Sequence, residues 1–165
     1  MLLMCSLWCW RGQVEINPEP FEDNRGFFAR WFCEKEFSQR GLESVFLQCN
    51  QSGTSGLGSI RGMHFQMPPF SEVKLVKCIV GSIYDVIVDV RKDSPTFLKW
   101  YGVKLSAKTR NMLYIPKGFA HGFQTLEEES EIIYMVSSVY SKNHENGIRY
   151  DDQAVKIDWP LERNK

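Results

Sequence analysis

The sequence has no excess of charge of either sign, because its 20 Lys and Arg residues balance its 20 Asp and Glu residues. Proteins that bind nucleic-acid backbones in general normally carry a strong basic excess. The composition therefore argues against nucleic acid as a partner, but it does not exclude a local basic pocket that binds one small anion. We expect residues 1–165 to form a single domain, since this length allows one sizeable core.

Cysteines are few, and their arrangement is not that of a disulfide framework or a metal site. The count is odd, and no pair from Cys33 onward has the short spacing of metal ligands. The five residues are Cys5, Cys9, Cys33, Cys49 and Cys78. We predict that all five are free thiols in a reducing cytoplasm, where disulfides are rare.

The chain also lacks an apolar run long enough to span a bilayer. Residues 1–10 are apolar and uncharged, but they are too few, and they lack the basic start and cleavage site of a signal peptide. We expect no membrane association. Residues 1–20 are predicted to be an N-terminal arm or edge strands at a dimer interface, since exposed tryptophans would otherwise favour aggregation.

Strand patterns dominate the chain, and no internal repeat or linker interrupts them. Residues 73–80 and 83–90 are rich in β-branched side chains and are predicted to form a hairpin across Gly81-Ser82. One short helix is predicted at residues 34–40, with Phe37 facing inward. Further strands are predicted at residues 27–32, 46–50, 102–105, 111–115 and 131–140. Their spacing predicts an all-β fold, an antiparallel sandwich or barrel with little helix.

The hexapeptide RGMHFQ at residues 61–66 combines a cation, a glycine, a histidine and an amide. On a regular strand His64 shares a face with Gln66, and Arg61 lies on the opposite face. His64 is either a catalytic base, since histidines titrate near neutral pH, or a core histidine bonded to a backbone carbonyl. Lys74 lies in an apolar strand, where its charge needs a partner or a ligand.

His121 ends the motif PKGFAH, which resembles the second motif of cupin barrels. Metal-binding cupins draw two further histidines and a glutamate from their first motif, whereas that region here has only His64, with Gln66 and Glu72 nearby. A metal site normally needs three or four ligands. We therefore predict a metal-free site.

Tyr134 and Tyr140 share one face of a predicted strand with Ile132 and Val136. A tyrosine on an inward face is usually part of the core, with its hydroxyl hydrogen-bonded. It can also serve as a proton donor. The residue pattern leaves these two roles open.

Taken together, the motifs resemble those of the dTDP-4-dehydrorhamnose 3,5-epimerases, deoxysugar-nucleotide epimerases of the cupin superfamily. The matching motifs are FEDNRGFF (21–28), QCNQS (48–52), RGMHFQ (61–66), KLV (74–76), DVIVDVR (85–91), SPTF (94–97), IPKGFAHGF (115–123) and DWP (158–160). The resemblance implies a cupin-type jelly roll that forms a homodimer by exchanging N-terminal strands. It also implies an isomerase that acts on a nucleotide-diphosphate 4-keto sugar.

The resemblance further implies roles for individual residues. His64 removes the proton at C3 or C5, Lys74 stabilises the enolate oxygen, and Tyr134 reprotonates from the opposite face. The implied substrate-binding residues are Arg25, Phe28, Arg30, Gln48, Asn50, Arg61, Gln66, His121 and Tyr140. No cofactor is needed, because the C4 ketone is itself the electron sink.

Two positions depart from the family pattern. Arg30 stands where relatives usually have a glutamate that helps to read the thymine, so the protein either binds another nucleotide base or makes this contact elsewhere. No aspartate matches the C-terminal one that orients the histidine, and we expect Asp85 or a water to replace it, or activity to be low. The alternatives are epimerisation at C3 or C5 alone, a GDP- or CDP-linked sugar, or a catalytically weak sugar-nucleotide-binding cupin.

Overall fold

The computed structural model describes residues 12–164 of the chain. In chain order the elements of this part are β1 (Val14–Ile16), β2 (Phe21–Asp23), β3 (Gly26–Phe28), α1 (Glu34–Gln39), β4 (Gln48–Ser55), β5 (Ile60–Gln66), β6 (Lys74–Val80), β7 (Ser82–Asp89), β8 (Trp100–Ser106), β9 (Met112–Ile115), β10 (Phe119–Thr125), β11 (Glu129–Val136), a 3₁₀ turn (Lys142–His144) and β12 (Glu145–Gly147). No helix of the described residues is long and apolar enough to cross a membrane.

Ten of the strands form two antiparallel sheets of five strands each. Sheet one has the spatial order β1-β9-β6-β11-β4, and sheet two has the order β12-β5-β10-β7-β8. Strands β2 and β3 pair with each other as a separate hairpin. This architecture confirms the predicted all-β antiparallel fold with little helix.

Three apolar clusters cover both faces of the sheets. The central cluster lies between the sheets and includes Val76 of sheet one and Ile87 of sheet two. The second covers the outer face of sheet one, where α1 buries Phe37 as predicted. The third covers the outer face of sheet two with residues from the C-terminal segment, such as Val155. Because both faces are covered, β7 is buried along almost its whole length.

The predicted hairpin at Gly81-Ser82 is wrong. Strand β6 pairs with β9 and β11 in sheet one, whereas β7 pairs with β8 and β10 in sheet two. The chain turns between the sheets at Gly81, whose φ is 66° and where a Cβ would clash with the carbonyl of Glu129. Apolar residues of both strands lie in the same central cluster. Two strands that face each other across the sandwich therefore bury these residues as well as a hairpin would.

Predicted strand ends also shift. The strand predicted at residues 27–32 ends with β3 at Phe28, because Trp31 and Phe32 instead pack on the second cluster. The strand predicted at residues 131–140 ends at Val136. Of the predicted N-terminal arm, residues 1–11 lie outside the described residues, and Val14–Ile16 form the edge strand β1 beside β9.

The loop between β7 and β8 is organised by one buried carboxylate, that of Asp89. Its oxygens accept hydrogen bonds from the backbone and guanidinium of Arg91 and from the hydroxyls of Ser94 and Thr96, at 2.6–3.0 Å. Burial alone raises the pKa of Asp89, but these hydrogen bonds outweigh burial and hold the pKa well below its usual value. The motifs DVIVDVR and SPTF thus have a structural function here.

We predict that Asp89→Asn lowers the free energy of unfolding by about 2–3 kcal/mol at neutral pH, because an amide cannot accept these charged hydrogen bonds. The carboxylate stabilises the fold fully only above its unfolded-state pKa of about 4, and this contribution is lost as the pH falls towards the depressed folded-state value. Urea denaturation at pH 7, at pH 4 and in stronger acid should therefore show that the difference in the free energy of unfolding between the wild type and Asp89→Asn becomes smaller as the pH falls. Asp93→Asn, an exposed change in the same loop, is the control. A difference that is absent at pH 7, or constant into acid, contradicts the prediction.

Candidate active site

A cavity of about 360 Å³ lies between the two sheets. Sheet one contributes side chains from β4, β6 and β11, and sheet two contributes side chains from β5, β10 and β12. The lining residues are Gln48, Asn50, Ser52, Arg61, Gly62, His64, Phe65, Gln66, Glu72, Lys74, His121, Phe123, Ile132, Tyr134, Val136, Tyr140 and Glu145. Nine residues predicted for the site from the sequence are among them.

A bulge in β5 brings Arg61 and His64 to the same face. His121 of β10 lies opposite His64, and Phe123 lies opposite Arg61, so β5 has one extra residue between these pairs. Gly62 has a φ of 107°, and a Cβ there would lie 2.6 Å from the carbonyl oxygen of His121. The prediction that Arg61 and His64 lie on opposite faces is therefore wrong, because it assumed a regular strand.

Arg61 is held at the cavity by sheet one. Its Nη1 donates hydrogen bonds to the hydroxyls of Ser52 and Thr54, at 2.8 and 3.2 Å, and to the carbonyl oxygen of Gly53 at 3.1 Å. All three acceptors are uncharged, so Arg61 retains a positive charge with no carboxylate among these contacts. Such a cation can bind an anionic group of a ligand.

His64 faces a carboxylate that sequence reasoning missed. Its Nδ1 lies 3.3 Å from Oε1 of Glu145, and the histidine side chain is 59% exposed. Tyr140 donates its hydroxyl hydrogen to the other oxygen of Glu145 at 2.7 Å. This hydrogen bond raises the pKa of Tyr140. Glu145 belongs to a strand of three residues within a polar segment, so no pattern in the sequence predicts that this strand pairs with β5.

Lys74 has the partner that its burial requires. Its Nζ lies 3.1 Å from Oε1 of Glu72, and the two side chains are only 12% and 10% exposed. Gln66 donates a hydrogen bond to the second oxygen of Glu72 at 3.0 Å. The amide of Gln66 also binds the backbone of Phe70, Val139 and Ser141. These contacts occupy the amide of Gln66. The geometry therefore indicates that Gln66 stabilises the cavity wall, whereas the sequence predicted a contact with substrate.

Asp85 holds His121 and not His64. Nε2 of His121 lies 3.0 and 2.9 Å from the two oxygens of Asp85, and both residues are buried. The expectation that Asp85 orients His64 is therefore wrong in this structure. Asp85 and His121 lie on the neighbouring strands β7 and β10, two positions apart in register and therefore diagonal to each other, and both face inward.

Tyr134 lies across the cavity from the histidines, on β11 of sheet one. It is half-buried and packs against the central cluster. Burial, and next the charge of Glu72, raise the pKa of Tyr134 above its usual value. The phenol is therefore protonated at neutral pH, as a proton donor must be.

Three of the predicted binding residues lie outside the cavity of their own chain. Arg25 is an exposed residue in the β2–β3 hairpin turn, where its guanidinium pairs with Asp23 at 2.6 Å. Phe28 on β3 is 63% exposed. Arg30 follows the hairpin and lies 3.5 Å from a carboxylate oxygen of Glu36. A single chain does not bring these three side chains to His64.

The described residues also contain no cluster of three or more His, Cys, Asp or Glu side chains that could hold a metal ion. Apart from Arg61, the acidic and basic side chains that the structure describes at the cavity are arranged as pairs. The pairs are His64 with Glu145, Lys74 with Glu72, and His121 with Asp85.

Comparison with known proteins identifies the family. The sequence profile of the dTDP-4-dehydrorhamnose 3,5-epimerase family matches residues 10–165. The chain belongs to this family of isomerases. It is 47% identical over 148 residues to the dTDP-4-dehydrorhamnose 3,5-epimerase of Shigella flexneri, a match that covers 89% of this chain and 81% of that protein.

Solved structures agree with this assignment. The dTDP-4-dehydrorhamnose 3,5-epimerase of Bacillus anthracis, with TDP and PPi bound, has a TM-score of 0.94 and 40% identity, with 98% of this chain and 92% of that chain covered. The dTDP-6-deoxy-D-glucose-3,5-epimerase of Legionella pneumophila, in complex with dTDP-4-keto-L-rhamnose, has a TM-score of 0.86 and 39% identity. That match covers 91% of this chain and 79% of the other. The predicted cupin-type jelly roll is thereby confirmed.

Proposed function

We propose that this protein epimerises dTDP-4-dehydro-6-deoxyglucose at C3 and C5, which yields dTDP-4-dehydrorhamnose. One observation carries the proposal: a single cavity contains a histidine from one sheet and a protonated tyrosine from the other. Inversion of a carbon centre requires that a proton leaves one face and another arrives on the opposite face. A base and an acid on opposing sheets meet that requirement.

The proposed reaction needs only proton transfers. The C4 ketone acidifies the C–H bonds at C3 and C5, and His64 takes the proton as each bond breaks. The electron pair moves to the ketone oxygen, where Lys74 stabilises the enolate. The hydroxyl of Tyr134 then donates a proton to the carbon from the opposite face, and solvent returns both groups to their starting states. No electron leaves the substrate, so the residues named suffice without a cofactor.

The cavity has polar side chains that suit the nucleotide part of the substrate. Gln48 and Asn50 on β4 and Arg61 on β5 line it, and Arg61 supplies a cation for the diphosphate. A hairpin residue, Arg25, would add a second cation, but it lies outside the cavity of its own chain.

We therefore propose that the protein is a homodimer in which each hairpin completes the partner's cavity. Large apolar residues of this region are exposed in the single chain, which supports burial against a second copy. They are Phe21, Phe27, Phe28, Val45 and Leu47. The described cysteines are free thiols, which supports a reducing compartment such as the cytoplasm.

We predict that His64→Ala slows deuterium exchange from solvent into C3 and C5 of the keto sugar by about 10²–10⁴-fold, since a general base is lost. NMR of the substrate in D₂O measures the exchange, and dTDP-, GDP- and CDP-linked sugars are compared. His121→Asn is the matched variant, because His121 forms the other histidine–carboxylate pair. Loss of exchange in His121→Asn but not in His64→Ala would transfer the role of base to His121. Exchange at one carbon only in the wild type would identify a C3- or C5-specific epimerase.

Tyr134→Phe should separate the two halves of the reaction. Proton removal by His64 continues, whereas inversion slows because the acid on the opposite face is missing. Deuterium then enters with retained configuration, which NMR of the product distinguishes from inversion. Tyr101→Phe is the control, since Tyr101 packs against the same cluster outside the cavity. Inversion at the wild-type rate in Tyr134→Phe would show that the hydroxyl is only structural.

The dimer proposal predicts complementation between two inactive variants. Arg25→Ala binds the diphosphate poorly and His64→Ala lacks the base. In a heterodimer with one copy of each, one of the two symmetric cavities has both intact groups, so about half of the wild-type activity returns. Heterodimers purified through two different affinity tags provide the measurement. No recovery in a confirmed heterodimer means that Arg25 acts on its own chain or not at all.

A further inference from the structure

We propose that Glu145 is the positioning residue for His64 and that Tyr140 holds Glu145 in place. The inference rests on the proposed function of His64 as the base. It assigns a role to a strand that is only three residues long and lies at the edge of sheet two.

The backbone places Glu145 beside the base. Strand β12 pairs with β5 so that Gly147 lies opposite His64 and Glu145 lies opposite Gln66. Glu145 is thus diagonal to His64, a relation in which long side chains meet. The resulting distance from Oε1 to Nδ1 of the histidine is 3.3 Å.

The second oxygen of Glu145 is fixed independently. The Tyr140 hydroxyl donates to Oε2 at 2.7 Å, and the backbone N–H of Tyr140 donates to Oε1 of Gln48 at 2.9 Å. Gln48 begins β4 at the far edge of sheet one. The carboxylate of Glu145 is therefore connected to both sheets, and one of its oxygens remains for the histidine.

This arrangement suits a histidine that must accept a proton. If Nδ1 donates its hydrogen to Glu145, the neutral ring keeps its lone pair on Nε2, which is then the atom that takes the proton from the sugar. The ring becomes positively charged in that step, and the adjacent carboxylate stabilises this charge. The same logic applies to the histidine and aspartate of a serine protease triad.

Other charged groups around the cavity are occupied. Glu72 on the segment before β6 pairs with Lys74, and Asp85 on β7 pairs with His121 of β10. Arg61, on the same strand as His64, is turned towards β4 by its hydrogen bonds. Tyr134 on β11 is a neutral phenol at neutral pH. Among residues 12–164, Glu145 is thus the carboxylate placed to respond when His64 gains a charge.

The test is Glu145→Gln in the full-length protein. We expect kcat to fall by about 10–10²-fold, less than in a buried triad because this pair is partly exposed to solvent. KM should change by less than about 3-fold, because the carboxylate acts mainly as charge develops on His64.

A substrate-free measurement separates this inference from the proposed function. Nitrogen-15 NMR of neutral His64 should show the hydrogen on Nδ1 in the wild type, and a shift towards the other tautomer in Glu145→Gln. Glu131→Gln is the control, because Glu131 is a carboxylate bonded to Gln51 outside the cavity. Glu145→Asp keeps the charge and should recover part of kcat.

The outcomes are distinct. An unchanged tautomer in Glu145→Gln would overturn the role of Glu145, even if the wild type turns over its substrate. A wild type that does not turn over the keto sugar, but whose His64 tautomer changes in Glu145→Gln, would overturn the proposed function and leave the positioning intact. An equal fall of kcat in the Glu131→Gln control would also count against a specific role.

Discussion

The close approach of β5 and β10 is the constraint on which the site depends. At the bulge, Gly62 faces Gly122, and a side chain at either position would collide with the opposite backbone. Two glycines therefore allow the extra residue in β5 to fit against β10. Because of this residue, Arg61 and His64 reach the same cavity from one strand, as the proposed function requires.

Pairs of oppositely charged or titratable side chains line or border the cavity, and they differ in how far they are exposed to solvent. The pair Lys74–Glu72 is largely buried and the pair His121–Asp85 is buried, so the polar groups of each pair need their partners to offset desolvation. The pair His64–Glu145 is more exposed and remains accessible to a ligand. This difference agrees with the proposed function, in which the buried pairs stabilise the cavity wall and the exposed pair takes part in proton transfer.

The hairpin β2–β3 lies outside the cavity of its own chain. Aromatic side chains that a monomer would bury remain exposed here, and Arg25 lies away from the cavity that its family resemblance assigns to it. Both facts have one explanation if a second copy covers the hairpin. Substrate binding and dimer formation would then be coupled, since the same residues serve both.

Local patterns in the sequence determined the fold class, the helix around Phe37 and the candidates His64, Lys74 and Tyr134, because alternation, turn residues and a charge in an apolar strand are short-range signals. Only the tertiary structure decided which strands pair, since residues 73–80 and 83–90 can bury their apolar faces equally well as a hairpin or as strands of two facing sheets. It likewise decided that Arg61 joins His64, because a bulge depends on the opposing strand. The partners Glu72, Asp85 and Glu145 were also decided there. A carboxylate finds its histidine or lysine through the packing of distant strands, and no spacing along the chain encodes that contact.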